Sequence, residues 1–209
     1  RKQSAIEEKS KLLKNIETAE ELKITQRQYH SKRLVSLENI SIYYNDKAVC
    51  RDICFTIEQG DRIALKGRNG SGKSSIIKLI CGEDISYSGS FYKGNQLLIS
   101  YVPQDTSFLT GDLSAYAYEN SIDESLFKAI LRKLDFSRVQ FEKDMSEFSA
   151  GQKKKVLIAR SLCEKAHLHI WDEPLNYIDV FSRMQIEELL LSYKPNILFV
   201  EHDSAFCKT

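Results

Sequence analysis

The chain has 209 residues, 42% of them hydrophobic and 28% charged, and its formal net charge is +1. This composition is ordinary for a soluble globular protein with one substantial core. No apolar run approaches the roughly 18–20 residues that cross a bilayer, and there is no signal peptide. Another chain would therefore supply any membrane-spanning part. The near-neutral charge excludes a global attraction to nucleic acid and leaves only a local basic patch for such a partner.

The cysteines are odd in number, five, and lack CxxC spacing, a pattern typical of free thiols in a reducing cytosol. Cys50 and Cys54 are predicted to share one face of a strand and to act as small buried hydrophobes. The chain begins with Arg1 and stops at Thr209 just as a new segment begins. We therefore expect a fragment of a longer protein, truncated at its carboxyl end.

Residues 1–33 contain no Gly or Pro and are rich in Lys, Glu, Gln and Ala, which are good helix formers. Ala5, Leu12 and Ala19 repeat every seven residues in an otherwise polar stretch, which predicts a long exposed helix with a thin apolar stripe. Basic residues outnumber acidic ones in this segment. Two interpretations stay open: a solvated helical linker, or a basic arm that contacts a polyanion.

From residue 34 onward, strand-like alternation and helical spacing follow each other along the chain. Alternation of strands with helices predicts an α/β fold with a largely parallel sheet. Helical spacing without sustained strand alternation predicts a helical lobe inserted at about 105–150. The predicted strands cover residues 35–44, 48–57, 62–65, 90–92, 97–102, 167–171 and 197–200, and the other predicted helices cover 75–80, 151–163 and 180–191.

A glycine-rich stretch, GRNGSGKSS, follows the third predicted strand, precedes a helix and fills the pattern G-x-x-x-x-G-K-[ST]. Its backbone N–H groups are expected to form an anion-binding nest, backed by the positive end of the helix. Lys73 is predicted to reach the β- and γ-phosphates of a nucleotide, and the Ser74 hydroxyl to bind Mg²⁺. The predicted nucleotide-binding residues here are Gly67, Asn69, Gly70, Ser71, Gly72, Lys73, Ser74 and Ser75.

Two adjacent acids, Asp172 and Glu173, end the strand predicted at 167–171. Asp172 is predicted to hold Mg²⁺ through its water shell, because this ion keeps several waters and takes few direct carboxylates. Glu173 is predicted to polarise the attacking water as general base. A phosphate loop followed by such a strand is what Mg²⁺-dependent nucleotide hydrolysis requires, and it predicts an enzyme of that kind.

These motifs resemble those of the ATP-binding-cassette (ABC) ATPases, and the resemblance covers nearly all of residues 34–209. Gly67–Ser75 is similar to the Walker A loop, Ile170–Glu173 to the Walker B strand, and Phe148–Gln152 to the signature sequence that opens a helix. The resemblance implies a P-loop NTPase core of ABC type with an antiparallel β edge and an inserted helical subdomain, preceded by a helical linker.

Single residues take on roles through the same resemblance. Gln104 is similar to the Q-loop glutamine, which senses Mg²⁺ and the attacking water, and is therefore a predicted catalytic residue and metal ligand. His202 is similar to the switch histidine of catalysis, and Asp179 to the nucleotide-binding D-loop aspartate. Tyr44 stands where the family stacks an aromatic ring on adenine, with Tyr43 as the alternative.

In this family the signature residues bind nucleotide across a dimer interface. Ser149, Gly151 and Gln152 are therefore predicted to bind the nucleotide of a second ABC domain. One domain then carries two half-sites, and ATP joins a pair of domains until hydrolysis releases them. Ala150, where the family commonly has Gly, and Lys153–Lys155, where Arg is common, depart from the pattern but remove no acid, base or metal ligand.

Two classes of ABC protein compete: the nucleotide-binding domain of a membrane transporter, and the soluble ABC-F class, in which two ABC domains share one chain and act on ribosomes. The basic segment before residue 34 resembles the ABC-F interdomain linker, and Asn176 stands where ABC-F proteins carry it. The block 171–179 resembles the C-terminal domain of antibiotic-resistance ABC-F proteins. The resemblance favours a cytoplasmic ABC-F ATPase that contacts the ribosome or its rRNA through the linker. The transporter domain is the alternative.

Overall fold

The computed structural model describes residues 24–201, which form two β-sheets and five α-helices. An antiparallel sheet has the strand order β2-β1-β4, and a parallel sheet has the order β3-β7-β6-β5. The predicted α/β class with an antiparallel β edge is confirmed. The strands are β1 (Arg33–Tyr44), β2 (Lys47–Glu58), β3 (Arg62–Leu65), β4 (Ser86–Lys93), β5 (Ile99–Val102), β6 (Leu168–Asp172) and β7 (Ile197–Val200).

The helices follow the strands in the order that crossover connections between parallel strands require. The predicted helical lobe contains two of them and two short 3-10 turns, Arg138–Glu142 and Met145–Glu147. No helix within residues 24–201 is long and apolar enough to cross a membrane. The helices are α1 (Lys73–Cys81), α2 (Leu113–Glu119), α3 (Glu124–Lys133), α4 (Ala150–Cys163) and α5 (Val180–Tyr193).

The parallel sheet separates two hydrophobic cores. Successive side chains of a strand point to opposite faces, so Leu168 and Ile170 of β6 pack toward α1 and the antiparallel sheet. Trp171, completely buried, packs on the other face among residues of α2 to α5. Both faces are covered, which explains why the parallel strands are almost continuously apolar.

The register of the parallel sheet brings the carboxyl ends of its strands together. Leu65 of β3 pairs with Val200 of β7, and Val200 pairs with Asp172 of β6. Val102 of β5 pairs with Trp171, one residue before Asp172. The loops after all four strands therefore leave the sheet at one edge, where open α/β sheets bind ligands.

The segment before β1 differs from its prediction. The helix predicted over residues 1–33 does not include 24–32, which have no regular helical structure, and residues 1–23 lie outside the described part of the chain. Tyr29 is buried and its hydroxyl donates a 2.7 Å hydrogen bond to the carbonyl of Asn95. Helix propensity is a weak preference, and these tertiary contacts override it.

Residues 24–32 lie along the amino ends of the parallel strands, at the edge opposite the phosphate loop. The Arg27 N–H donates to the carbonyl of Ala166, just before β6. The Tyr29 N–H donates to Oε1 of Gln59, just before β3, at 3.1 Å. Residues 24–32 are therefore attached to the sheet by hydrogen bonds.

The prediction that Cys50 and Cys54 share a buried face is wrong. Cys50 is buried, whereas Cys54 is exposed. A β-bulge lies between them: Asp52 has a left-handed φ of 53°, and the register breaks between the pairs Ile42↔Cys50 and Ile40↔Ile53. One extra residue in a strand reverses the side-chain alternation beyond it.

A buried polar network lies beneath β6. The Ser161 hydroxyl is 3.0 Å from Nδ1 of His169 and 2.7 Å from the hydroxyl of Ser100, and it accepts a 2.8 Å hydrogen bond from the indole N–H of Trp171. Burial, assisted by the charge of Arg160, lowers the pKa of His169 to about 4. His169 is therefore neutral in the folded protein down to acidic pH.

His169 should make the folded state sensitive to acid. The unfolded chain protonates this histidine near the ordinary value of 6.5, whereas the folded protein resists protonation down to about 4, so its stabilising contribution is present above pH 6.5 and is lost as the pH falls toward 4. We expect a loss of about 2 kcal/mol from pH 8 to pH 5. Urea unfolding of the wild type and of His169→Gln across this range measures it. Parallel curves for the two proteins would contradict the expectation.

Candidate functional site

The predicted phosphate loop lies at the carboxyl end of β3. Gly67–Ser71 is exposed, whereas the Lys73 side chain is buried, with 8% of its surface accessible. The Lys73 ammonium donates hydrogen bonds to the carbonyls of Gly67 at 2.6 Å and Arg68 at 2.8 Å. The loop therefore folds around its own lysine, and the positive charge lies at its centre.

The first turn of α1 fits an anionic ligand. Gly72 caps α1 with a left-handed φ of 89°, makes no side-chain capping hydrogen bond, and is followed by no acidic residue in the first turn. The other four α-helices of the described chain each have an Asp or Ser side chain that accepts a capping hydrogen bond. The amides of α1 and the positive end of its dipole thus suit a phosphate group. The exposed Ser74 and half-buried Ser75 lie in this turn.

Gly72 also fixes the loop against the antiparallel sheet. A Cβ atom at this position would lie 2.8 Å from Cβ of Cys50 and 3.1 Å from the carbonyl of Val49 in β2. Only glycine fits this contact at a positive φ. Cys50 pairs with Ile42 of β1, and Tyr44 lies two residues farther along that strand. The tip of the β1–β2 hairpin is therefore next to the phosphate loop.

The two tyrosines at this tip differ in their surroundings. Tyr44 is 42% exposed. Tyr43 is less exposed, and its hydroxyl lies 3.4 Å from that of Ser88 in β4. Tyr44 is therefore the more exposed of the two tyrosines, and its stacking on adenine stays a prediction.

Of the two acids at the carboxyl end of β6, Glu173 contacts Gln104. Asp172 is buried, with 4% of its surface accessible. Glu173 has a left-handed φ of 48°, an uncommon backbone conformation for a residue other than glycine. Its Oε2 accepts a 2.9 Å hydrogen bond from Nε2 of Gln104 and another from Nδ2 of Asn176. Gln104 and Glu173, 69 residues apart in sequence, are thus in direct contact.

The donor set at this edge of the sheet also fits Mg²⁺. The Ser74 hydroxyl, the Gln104 amide oxygen and the Asp172 carboxylate are oxygen ligands of the kind this ion takes. Few protein ligands are needed, because Mg²⁺ keeps several waters and binds phosphate oxygens.

The signature residues pack on the D-loop. Ser149 and Gln152 form a capping box, in which the Ser149 hydroxyl accepts from the Gln152 N–H at 3.2 Å and Gln152 Oε1 accepts from the Ser149 N–H at 2.9 Å. A Cβ atom on Gly151 would lie 2.3 Å from the carbonyl of Tyr177, so the helix start and the D-loop meet at a position where only glycine fits. The hydrogen bonds of Ser149 and Gln152 stay within their own helix turn.

The D-loop carboxylate is already engaged within the domain. Asp179 Oδ2 lies 2.8 Å from the Lys155 ammonium, and Asp179 caps α5 by accepting from the Ser182 N–H at 2.8 Å. Partial burial opposes ionisation, but the hydrogen bonds from Lys155 and Ser182 outweigh it and lower the pKa of Asp179 to about 2. Asp179 is therefore charged at physiological pH and ties the D-loop to the signature helix.

Three residues beside the site were not among the predicted site residues. The sequence pattern used Asn176 only to distinguish ABC-F proteins from transporter domains, yet its side chain donates a hydrogen bond to Glu173. Lys154 and Glu201 are buried beside the acidic strand end, and Glu201 Oε1 accepts a 3.0 Å hydrogen bond from the Leu175 N–H. For the two charged residues, the available signal was position: Lys154 lies two residues after Gln152, and Glu201 lies directly before His202. The predicted switch residue His202 lies outside the described residues.

Comparison with known protein families agrees with this geometry. The family model described as ABC transporter matches residues 50–176, more than half of the chain. The chain belongs to this family. It is an ATP-binding ABC domain and an ATPase, and domains of this family work in pairs.

The relatives fall into more than one class. The ATP-binding protein Uup of Buchnera aphidicola is 31% identical over 100% of the chain and 36% of its own length. The ribosome protection protein VmlR of Bacillus subtilis is 29% identical over 84% of the chain and 32% of its own length. The manganese transport system ATP-binding protein MntB of B. subtilis is 33% identical over 81% of the chain and 77% of its own length. The chain thus spans about a third of the length of Uup and VmlR.

A solved structure agrees in fold. A bacterial Atm1-family ABC exporter with ATP bound superimposes with a TM-score of 0.72 over 87% of the chain and 36% of the exporter chain, at 18% identity. This confirms the predicted P-loop core of ABC type.

Proposed function

We propose that the chain is the C-terminal ABC domain of an ABC-F protein that acts on the ribosome in the cytoplasm. ATP binding closes two ABC domains on each other, and hydrolysis opens them. Through this action the protein would protect the ribosome from antibiotics that target it. The observation that carries this proposal is the similarity to Uup over the whole chain, which includes the segment before the ABC core.

In the proposed site, the phosphate loop and Lys73 hold the phosphates and Tyr44 stacks on adenine. Mg²⁺, held by Ser74, Gln104 and Asp172, would supply positive charge beside the phosphate oxygens. Glu173 accepts a proton from the attacking water, and Gln104 holds the Glu173 carboxylate in place through its 2.9 Å hydrogen bond. His202 stabilises charge on the γ-phosphate.

The signature and D-loop form the second half-site. Within the domain, the capping box at Ser149 and the contact of Gly151 with Tyr177 present the start of α4 as one rigid surface. The Lys73 hydrogen bonds, by contrast, stay within the phosphate loop. This arrangement supports a composite site, in which Ser149, Gly151, Gln152 and the D-loop of one domain complete the phosphate loop of the other.

Two further observations support the ABC-F class. The side-chain amide of Asn176 in the D-loop donates a hydrogen bond to Glu173, a contact that a small residue at this position could not make. Residues 24–32 are fastened along the amino ends of the parallel strands. The part of the proposed linker (residues 1–33) that precedes them would therefore follow any rotation of the core. The linker is the proposed contact with the ribosome or its rRNA.

The alternative is the nucleotide-binding domain of a membrane transporter. MntB, which is named as part of a manganese transport system, supports it because the chain covers 77% of the length of MntB at 33% identity. In that case the partner would be a membrane subunit supplied by another chain.

Sedimentation with ribosomes tests the proposal. The parent protein carrying Glu173→Gln is expected to pellet with ribosomes in the presence of ATP and to stay in the supernatant without it. The double variant Lys73→Ala/Glu173→Gln is the control, since it retains the blocked base but loses nucleotide binding. Equal pelleting of both variants, or co-purification with a membrane subunit, would overturn the ribosome assignment.

Drug resistance is tested separately from ribosome binding. Expression of the parent protein in a sensitive bacterium is expected to raise the minimal inhibitory concentration of an antibiotic that binds the ribosome. Glu173→Gln should abolish the protection. ATP-dependent ribosome binding without any protection would instead indicate a translation factor.

A further inference from the structure

A buried lysine in the signature helix connects three segments of the site. Lys154 lies in the second turn of α4, and only 2% of its surface is accessible. Its ammonium donates hydrogen bonds to the carbonyls of Pro103 at 2.8 Å and Gln104 at 3.2 Å, and it lies 3.5 Å from the carbonyl of Asp172. An ammonium group has three N–H donors, and three backbone carbonyls surround this one.

These carbonyls belong to the two strand ends that carry the hydrolytic residues. Pro103 and Gln104 follow β5, while Asp172 ends β6 and precedes Glu173. The strands are adjacent, with Val102 paired to Trp171. The lysine therefore fixes the distance between the backbone of Gln104 and that of Asp172, just beneath the hydrogen bond between Gln104 and Glu173.

The charge of Lys154 is balanced by the acids of the site. Burial lowers its pKa, and the carboxylates of Asp172, Glu173, Glu201 and Asp105 act in the opposite direction. Glu201 is itself buried at the end of β7 and holds the turn after Glu173. A buried charge is retained at a cost in desolvation, so hydrophobic packing alone does not explain a lysine here.

We propose that Lys154 is a positioning residue for hydrolysis, which transmits the placement of the signature helix to Gln104 and Glu173. Movement of α4 when a second domain docks on Ser149 would move the Lys154 ammonium and, with it, the two strand ends. Each domain would then adjust its own hydrolytic residues when its signature engages the nucleotide of the partner. The inference rests on the proposed roles of Gln104 and Glu173.

The test separates turnover from binding. Lys154→Met keeps an unbranched side chain that is one atom shorter and removes all three donors. We therefore expect kcat to fall by about tenfold to a hundredfold, the cost of misplacing catalytic groups by an ångström. KM for ATP and the affinity for a fluorescent ATP analogue should change less than twofold, about 0.4 kcal/mol, because the phosphate loop is untouched. Lys154→Gln, which keeps two N–H donors, should recover part of the rate. Lys153→Met, next to it and half-exposed, is the control for loss of charge and should keep the wild-type rate.

Several results would overturn the inference. Wild-type turnover by Lys154→Met is one, and a parallel loss of kcat and ATP affinity, indicating a general structural defect, is another. If Lys154→Met does not fold, an unchanged kcat for Lys154→Gln has the same meaning. Glu173→Gln serves as the reference: if it hydrolyses ATP normally, the assigned base is wrong, whereas an inactive Glu173→Gln beside a normal Lys154→Met rejects only the role of Lys154.

Discussion

Replacement of Glu173 by glutamine should stop ATP turnover while ATP stays bound. Glutamine has the shape of glutamate, and its carbonyl oxygen can still accept from Gln104 and Asn176, as Glu173 Oε2 does. It cannot accept a proton from the attacking water. Loss of a general base typically costs about 10²- to 10⁴-fold in rate. Phosphate release measures the turnover, and filter binding of radiolabelled ATP measures retention.

Retained ATP should also hold paired domains together, since hydrolysis is the step that releases them. Size-exclusion chromatography of the 209-residue chain carrying Glu173→Gln is expected to show a dimer of two copies with ATP and the monomer without nucleotide. Glu147→Gln, an exposed carboxylate in the helical lobe, is the control and should turn over ATP at the wild-type rate. Normal hydrolysis by Glu173→Gln would remove Glu173 from its assigned role.

Replacement of Lys73 by alanine should strongly weaken nucleotide binding. The Lys73 ammonium is held at the centre of the loop by the carbonyls of Gly67 and Arg68. Its removal takes a buried cation out of the loop and leaves these two carbonyls without its N–H donors. Loss of a charge-assisted hydrogen bond costs about 1.5–3 kcal/mol, which corresponds to roughly a 10- to 100-fold weaker affinity.

Isothermal titration with ATP measures this loss. Lys78→Ala is the matched control, because Lys78 lies on the same helix but is exposed in its last turn. It should bind ATP as the wild type does. An unchanged ATP affinity in Lys73→Ala would contradict the assignment of the phosphate loop, and a lowered melting temperature in that variant alone would point to a structural effect.

Lys73 and Glu173 belong to the half of the proposed nucleotide site that lies within this domain. Lys73 is expected to govern nucleotide binding, and Glu173 to govern turnover. The signature surface at Ser149 and Gly151 belongs, in the proposed arrangement, to the nucleotide of the second domain. In the proposed arrangement the chain is one of two domains that close on each other. The hydrogen bonds of Lys154 to the end of β5 would then connect closure to hydrolysis.

Local chemistry made the elements that carry the site predictable. β3 and β7 begin and end at the predicted residues. Each is a short, mainly apolar run bounded by polar residues, so the local sequence defines where the strand begins and ends. The start of α4 was predictable from Ser149 and Gln152, whose capping box is a contact between residues three positions apart. Gly82 ends α1 through a left-handed φ of 95°, a role that follows from its lack of a side chain.

Predictions failed where contacts between distant residues decide the conformation. The helix-forming composition of residues 1–33 did not yield a helix at 24–32, because Tyr29 gains burial and hydrogen bonds on the sheet. Cys54 is exposed because a bulge at Asp52 reverses the alternation of β2. The local sequence pattern shows neither the sheet edge that binds residues 24–32 nor the pairing of β2 with β1 that contains the bulge.

The sequence by itself determined the family chemistry: a loop whose glycines expose amides to phosphate, a lysine at its centre, and two acids after a buried strand. These depend on residue type and on spacing within short segments. Only the tertiary structure decided which distant groups meet. It joined Gln104 to Glu173 across 69 residues, gave the amide of Asn176 to the same carboxylate, and buried Lys154 among three carbonyls. Such contacts depend on strand order and register, which bring together residues that local pattern treats as independent.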